Sequence, residues 1–271
     1  MPVIGKLSKE MGVEMAFSQQ RNSRQIDRLS GRINSAAKIR YGYLTMIAAV
    51  LSFGLCLLAT DYLVHTNSLY VQWLFTFTAA LHGFIRTCLL VFLGIVPMWC
   101  CRSTAYTKPI ISLFFFLLSL VVLGFPMGLI FLYFPNQMIV PAILETIGVT
   151  FLFCSIGLLT KKDLTNWGGF LSLALASLAM DSVLNLQFFH LSWFAYSISF
   201  GTTVLFLAYL IYDANQAMQN YDEAKRLGGI YFIAILLASS LEILLDMIYL
   251  FWNNLVPGDD NDADSGFDSF W

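Results

Sequence analysis

The stretch 237–252, LASSLEILLDMIYLFW, decides how the chain is read. It is apolar enough for a membrane helix, yet it carries Glu242 and Asp246 four residues apart. That spacing puts both carboxylates on one helix face. One acidic side chain at the bilayer centre is disfavoured by roughly 2.5 to 3.5 kcal/mol on insertion scales. Two in a single span call for partners in neighbouring helices, for a function, or for both.

The rest of the chain is of the same kind. Of 271 residues, 58% are hydrophobic and 12% charged, with a mean hydropathy of +0.71. Soluble domains carry about 25% charged residues. The composition therefore predicts an all-α integral membrane protein, with a lipid bilayer as its first partner and no feature directed at nucleic acid. The five cysteines, Cys56, Cys88, Cys100, Cys101 and Cys154, all lie in apolar runs without a CxxC pair, and read as small buried hydrophobes. No cleavable signal peptide is expected, and the first apolar run, near Tyr43, is expected to act as the first anchor.

A crossing helix needs about 20 apolar residues. Seven runs qualify: 42–61, 76–101, 109–134, 138–160, 166–188, 191–213 and 230–254. Pro109, Pro126, Pro135, Pro141 and the Gly228-Gly229 pair punctuate them, and Pro126 predicts a kink in the third. Charge selects seven spans over eight. With the N-terminus inside, the basic residues of the first forty positions, Arg102, Lys108, Lys161, Lys162, Lys225 and Arg226 all fall on one side, and the opposite loops carry none. The positive-inside rule then places the N-terminus in the cytoplasm and the C-terminus outside. The expected organisation is a basic segment 1–41, a membrane domain 42–254 and an acidic tail 255–271. Within the first segment, residues 24–40 are compatible either with a basic amphipathic surface helix or with a solvated tail. The tail aspartates 260, 262 and 264 alternate as in a calcium loop, but the glycine comes late at Gly266 and no glutamate follows, which rejects an EF-hand.

Seven ionisable groups fall within or at the ends of spans: His82, Arg86, Glu145, Asp181, Asp213, Glu242 and Asp246. Intramembrane charges are functional candidates by default. Arg86 and Glu145 also suit snorkelling or a structural pair, Asp181 suits hydration at a span end, and His82 suits an ordinary polar contact. No nucleophile-plus-base motif, HExxH, GxSxG, P-loop or GxGxxG occurs, and no cluster has transition-metal spacing. Two aspartates in spans would fit an intramembrane aspartyl protease, but the glycine-aspartate motif is missing, so no enzyme is expected.

Three stretches carry a resemblance. FLFCSIGLLTKKDLTNWGGFL (151–171) resembles the inner loop between the fourth and fifth spans of the Bax inhibitor-1 family. LAYLIYDANQA (207–217) is similar to the end of that family's sixth span, and LEILLDMIYLF (241–251) to its seventh. The resemblance implies a seven-helix bundle with the last helix central and a calcium-permeable leak that responds to pH. It implies a stress-response setting and a pair of aspartates that sense pH and interact transiently with calcium. Those positions map onto Asp213 and Asp246, with Glu242 where some members carry a further acid. Arg102 is the nearest match to a basic residue that latches onto the first aspartate in some members. No tightly bound cofactor is implied, only calcium as permeant or regulatory ion.

If the last two spans form a hairpin at Gly228-Gly229, each aspartate lies about 16 or 17 residues from the turn, roughly 24 Å along an ideal helix. Equal height then requires a long inner extension of the sixth span, or a broken helix, through the polar segment 214–227. Hard cations prefer oxygen ligands, and two close carboxylates can share a proton when no cation is present. Calcium and protons would then compete for one place. Other readings are a regulatory membrane protein that binds stress proteases or cell-death factors without conducting ions, and a proton-coupled transporter. The expected location is a bacterial cytoplasmic membrane, with the endoplasmic reticulum or another intracellular membrane as the alternative.

Overall fold

The computed structural model describes residues 2–80, 96–160, 162–184 and 192–255. His82, Arg86, Cys88, Lys161 and the acidic tail from position 256 onward lie outside the described residues. So do the side chains of the basic segment up to position 33. The described residues are helical throughout, apart from short connections. The helices are α1 (Pro2–Thr66), α2 (Ser68–Ala80), α3 (96–105), α4 (Pro109–Tyr133), α5 (Asn136–Leu159), α6 (Trp167–Leu184), α7 (Ser192–Gln219), α8 (Tyr221–Leu227) and α9 (Gly229–Leu255). The chain divides into two compact units, Met1–Arg40 and Tyr41–Trp271, and all the site geometry lies in the second.

Five helical stretches among the described residues are long and apolar enough to cross a membrane: Asn34–Thr66, Pro109–Tyr133, Asn136–Leu159, Tyr196–Leu227 and Gly229–Leu255. Trp167–Asp181 is a shorter apolar helix. Large apolar side chains such as Leu51, Leu58, Ile110, Val121, Leu173 and Phe200 face outward. Water would expel such a surface, whereas lipid accepts it. Several boundaries differ from the hydropathy reading. The first span runs on to Thr66, and α2 is already helical at Ser68, ahead of position 76. α7 continues to Gln219, well past the apolar limit at 213. Pro126 and Pro141 lie inside α4 and α5, and neither interrupts its helix.

Burial separates α9 from the others. In its most apolar 18-residue window 72% of the residues are buried, against 33 to 44% in the other four candidate spans. α4 shows the ordinary pattern, with Phe116, Leu120, Leu123 and Met127 buried at spacings of three and four while Phe114, Leu117 and Val121 are exposed. In α9 the buried set includes Ile243, Leu244, Asp246, Met247 and Ile248, nearly consecutive positions that cannot share one face. The reason is that α9 packs against α4, α5, α7 and α8. Phe251 also meets Phe53 of α1, edge to face at 5.4 Å.

Two backbone features set up the site. Gly228 and Gly229 have φ of 64° and 50°, a left-handed turn that L side chains resist, and the Gly228 N–H closes α8 on the Ala224 carbonyl at 2.9 Å. Gly157 brings α5 against α7 so closely that a Cβ there would overlap the Ile211 carbonyl and press on Ala214. Small residues permit such approaches between membrane helices, where dispersion contacts do much of the packing.

Candidate functional site

Asp213 on α7 and Asp246 on α9 face each other across the hairpin. Both are buried, at 7% and 3% exposure. Their carboxyl groups lie in hydrogen-bonding contact. A hydrogen bond between two carboxyls needs a proton on at least one of them, since ionised carboxylates only accept. Asp246 Oδ2 is buried, and among the described residues nothing but the Asp213 carboxyl is placed to bond it.

The hairpin geometry explains how the two meet. α7 does not stop at the apolar limit but carries the polar residues 214–219 as continuous helix, and α8 extends this arm to the glycine turn. The Asn220 amide donates to Ser239 Oγ at 3.1 Å, a rung between the two arms. Asn220 lies seven positions after Asp213 and Ser239 seven before Asp246. Equal helical rise from that rung brings the two aspartates to the same level.

Glu242, one turn before Asp246 on α9, receives a hydrogen bond from the Arg102 guanidinium. The glutamate side chain is nearly buried and the arginine half exposed, so the pair links the inner acid cluster to the surface at the end of α3. The direct partner of Arg102 is Glu242 rather than Asp213. Cys154 of α5, fully buried, and Tyr209 and Tyr212 of α7 lie within electrostatic range of the aspartates.

A second polar cluster begins two residues beyond Asp213. The buried Asn215 amide donates to the carbonyls of Gly157, Thr160 and Lys162 at 3.2 to 3.4 Å. Its carbonyl accepts from the Leu164 N–H at 3.3 Å and from Gln219 Nε2 at 3.0 Å. Gln219 also donates to Asp163 at 2.7 Å, and its Oε1 lies 2.9 Å from Thr165 Oγ1. Asp163 further accepts the Thr165 N–H and hydroxyl at 2.9 and 2.6 Å. Thr165, first by its side chain and then by its backbone, and Gln219 hold the Asp163 carboxyl below its ordinary pKa. Asn215 thus caps the end of α5 from a different helix and straps the α5–α6 connection to α7. Sequence reasoning passed over Asn215, Gln219 and Asp163. The YDANQ run held the signal, but only its aspartate stands out by charge.

The remaining sequence candidates lie elsewhere. Glu145 is exposed on α5, and its proposed partner Arg86 lies outside the described residues. Asp181 is half-buried near the end of α6, away from the acid pair. Among the described residues no group of three or more His, Cys, Asp or Glu side chains is arranged to hold a metal ion. Two carboxylates fall short of the six to eight oxygens of a resident calcium site.

Residues 34–256 match the family model described as "Inhibitor of apoptosis-promoting Bax1". Comparison with curated proteins returns no match.

Proposed function

The chain belongs to the Bax inhibitor family of membrane proteins, and from that membership we propose that it is a pH-regulated calcium-permeable leak channel. The observation that carries the reading is the buried Asp213–Asp246 carboxyl contact. A buried acid pair has two ways to lower its charge: hold a proton, or hold a cation. Calcium entering the pair displaces the shared proton, so acidity and calcium oppose each other at one place. Glu242 adds a third acid, and its Arg102 partner latches the cluster from the α3 end. In this reading the chain crosses the bilayer seven times, and the deep burial of α9 supports it as the central helix. The one-sided basic residues favour a cytoplasmic N-terminus and an outside C-terminus in a bacterial cytoplasmic membrane.

Calcium flux into proteoliposomes at two pH values tests the reading. The wild-type flux is expected to depend on pH, Asp213→Asn and Asp246→Asn each to flatten that dependence, and Asp222→Asn, on the polar arm α8, to leave it intact. Asparagine keeps the shape and hydrogen bonding of the carboxyl but has no proton to exchange. Flux no greater than in empty liposomes overturns the channel and leaves a non-conducting regulatory partner as the better reading. A fixed ratio of protons to calcium moved would instead make it a transporter.

A further inference from the structure

Resting on the channel reading, we propose that the seam between α5 and α9 is the half of the permeation path that lies beyond the aspartate pair, running from Asp246 to Asn254 past Cys154, Thr150 and Thr146. The three α5 residues are spaced by four, share one face and are fully buried. At one end of the seam the Asn254 amide donates to Thr146 Oγ1 at 3.3 Å. At the other, Cys154 lies within electrostatic range of Asp246 and Asp213. Eight residues separate Thr146 from Cys154 and eight separate Asp246 from Asn254, about 12 Å in each antiparallel helix, so the polar stripe of α5 matches the distance between the two polar ends on α9, with Leu250 between them. In the middle, Thr150 Oγ1 is buried with no hydrogen-bond partner among the described residues. Buried polar groups are ordinarily satisfied. An unsatisfied hydroxyl midway between Asn254 and the carboxyl pair marks a seam that gains a hydrogen bond when water or a hydrated ion enters.

The faces of α9 toward α4 and α7 differ from this seam. α4, which packs against α9, buries Phe116, Leu120, Leu123 and Met127, and the hydroxyl of its Ser119 is already bonded to the Phe115 carbonyl at 2.8 Å. Against α7, Asn253 bonds Thr203 and Ser199, but the stacked rings of Phe206 and Tyr249, with centroids 3.9 Å apart, stand between that cluster and the aspartates. Parting α5 from α9 exposes the hydroxyl and thiol groups of the α5 stripe and the Asn254 amide. Neither α5 nor α9 contains a basic residue, and the exposed Glu145 sits beside Thr146 at the mouth. The seam therefore suits a small hydrated cation rather than an anion. The structure holds it shut.

Thiol accessibility together with flux in oriented proteoliposomes tests the proposal. Thr150→Cys, with the five native cysteines replaced by alanine, is treated with a small cationic methanethiosulfonate from the Asn254 end. Phe151→Cys, on the lipid-facing side of α5, is the control. A hydrated seam makes position 150 react at least about tenfold faster, the ratio given by one unit of thiol pKa between wet and apolar surroundings. Equal rates overturn the seam. In the chain with native cysteines, Thr150→Ser is expected to keep calcium flux, while Thr150→Leu lowers it by about tenfold or more through a dewetted constriction. Equal flux in those two variants also overturns the seam, whether or not the cysteine-replaced chain folds. Fast modification at position 150 in a chain that passes no calcium supports the seam and removes the calcium reading alone.

Discussion

Asp213 and Asn215 sit two residues apart on α7 and head two opposite kinds of polar cluster. Around Asn215 each amide atom has a partner, and the network ties a loop and two helix ends together. Around Asp213 two buried acids press against each other, with no partner for Asp246 Oδ2 among the described residues but the other acid, and a third acid lies one turn away. A satisfied network has one low-energy arrangement and serves as a fixed scaffold. An unsatisfied one keeps free energy available for a proton or an ion, and sites of that kind are where function concentrates. The fixed cluster holds α7 in the rotation that aims Asp213 at Asp246.

The comparison fails if both clusters respond alike to losing a side chain. Asn215→Ala is expected to destabilise the protein by about 2 to 4 kcal/mol, because several buried carbonyls and an N–H lose their partner together. At this size that lowers the midpoint of thermal unfolding in detergent by roughly 5 to 15 °C. Asp246→Asn, by contrast, is expected to unfold at or above the wild-type temperature, since its amide can donate to Asp213 where two acids compete for one proton. A large loss from Asp246→Asn with none from Asn215→Ala reverses the assignment of scaffold and site.

A smaller effect sharpens the boundary between the clusters. Arg102→Gln leaves the nearly buried Glu242 without its cation, but half-exposed Arg102 contributes less than a fully buried partner would. The expected loss is about 1 to 2 kcal/mol, with Arg102→Lys recovering part of it, as read from thermal unfolding. No loss on Arg102→Gln would make the latch a surface pair.

The smallest effect belongs to Asp163. Its carboxyl is held below the unfolded value by Thr165 and Gln219. A depressed folded pKa gives stability that is present above the unfolded value, about 4, and lost as pH falls through the folded value. Asp163→Asn should therefore be slightly less stable than wild type at neutral pH, with the gap closing in acid. A gap that widens in acid contradicts the hydrogen bonds drawn to Asp163.

The sequence by itself determined the membrane class, most of the apolar spans, the glycine turn and the aspartates as candidates. Each of these is written in strong local contrast: apolar runs against charge, and glycine pairs against helix formers. Only the tertiary structure decided which acid Arg102 holds, because Glu242 lies 140 positions away and the choice depends on where α3 ends against α9. It also decided that the polar segment after Asp213 stays helical, since Asn215, Gln219 and Asn220 find partners on other elements that hydropathy does not register. Thr150 was the least visible of all. A neutral hydroxyl hardly disturbs an apolar run, and its lack of a partner exists only once α5 has packed.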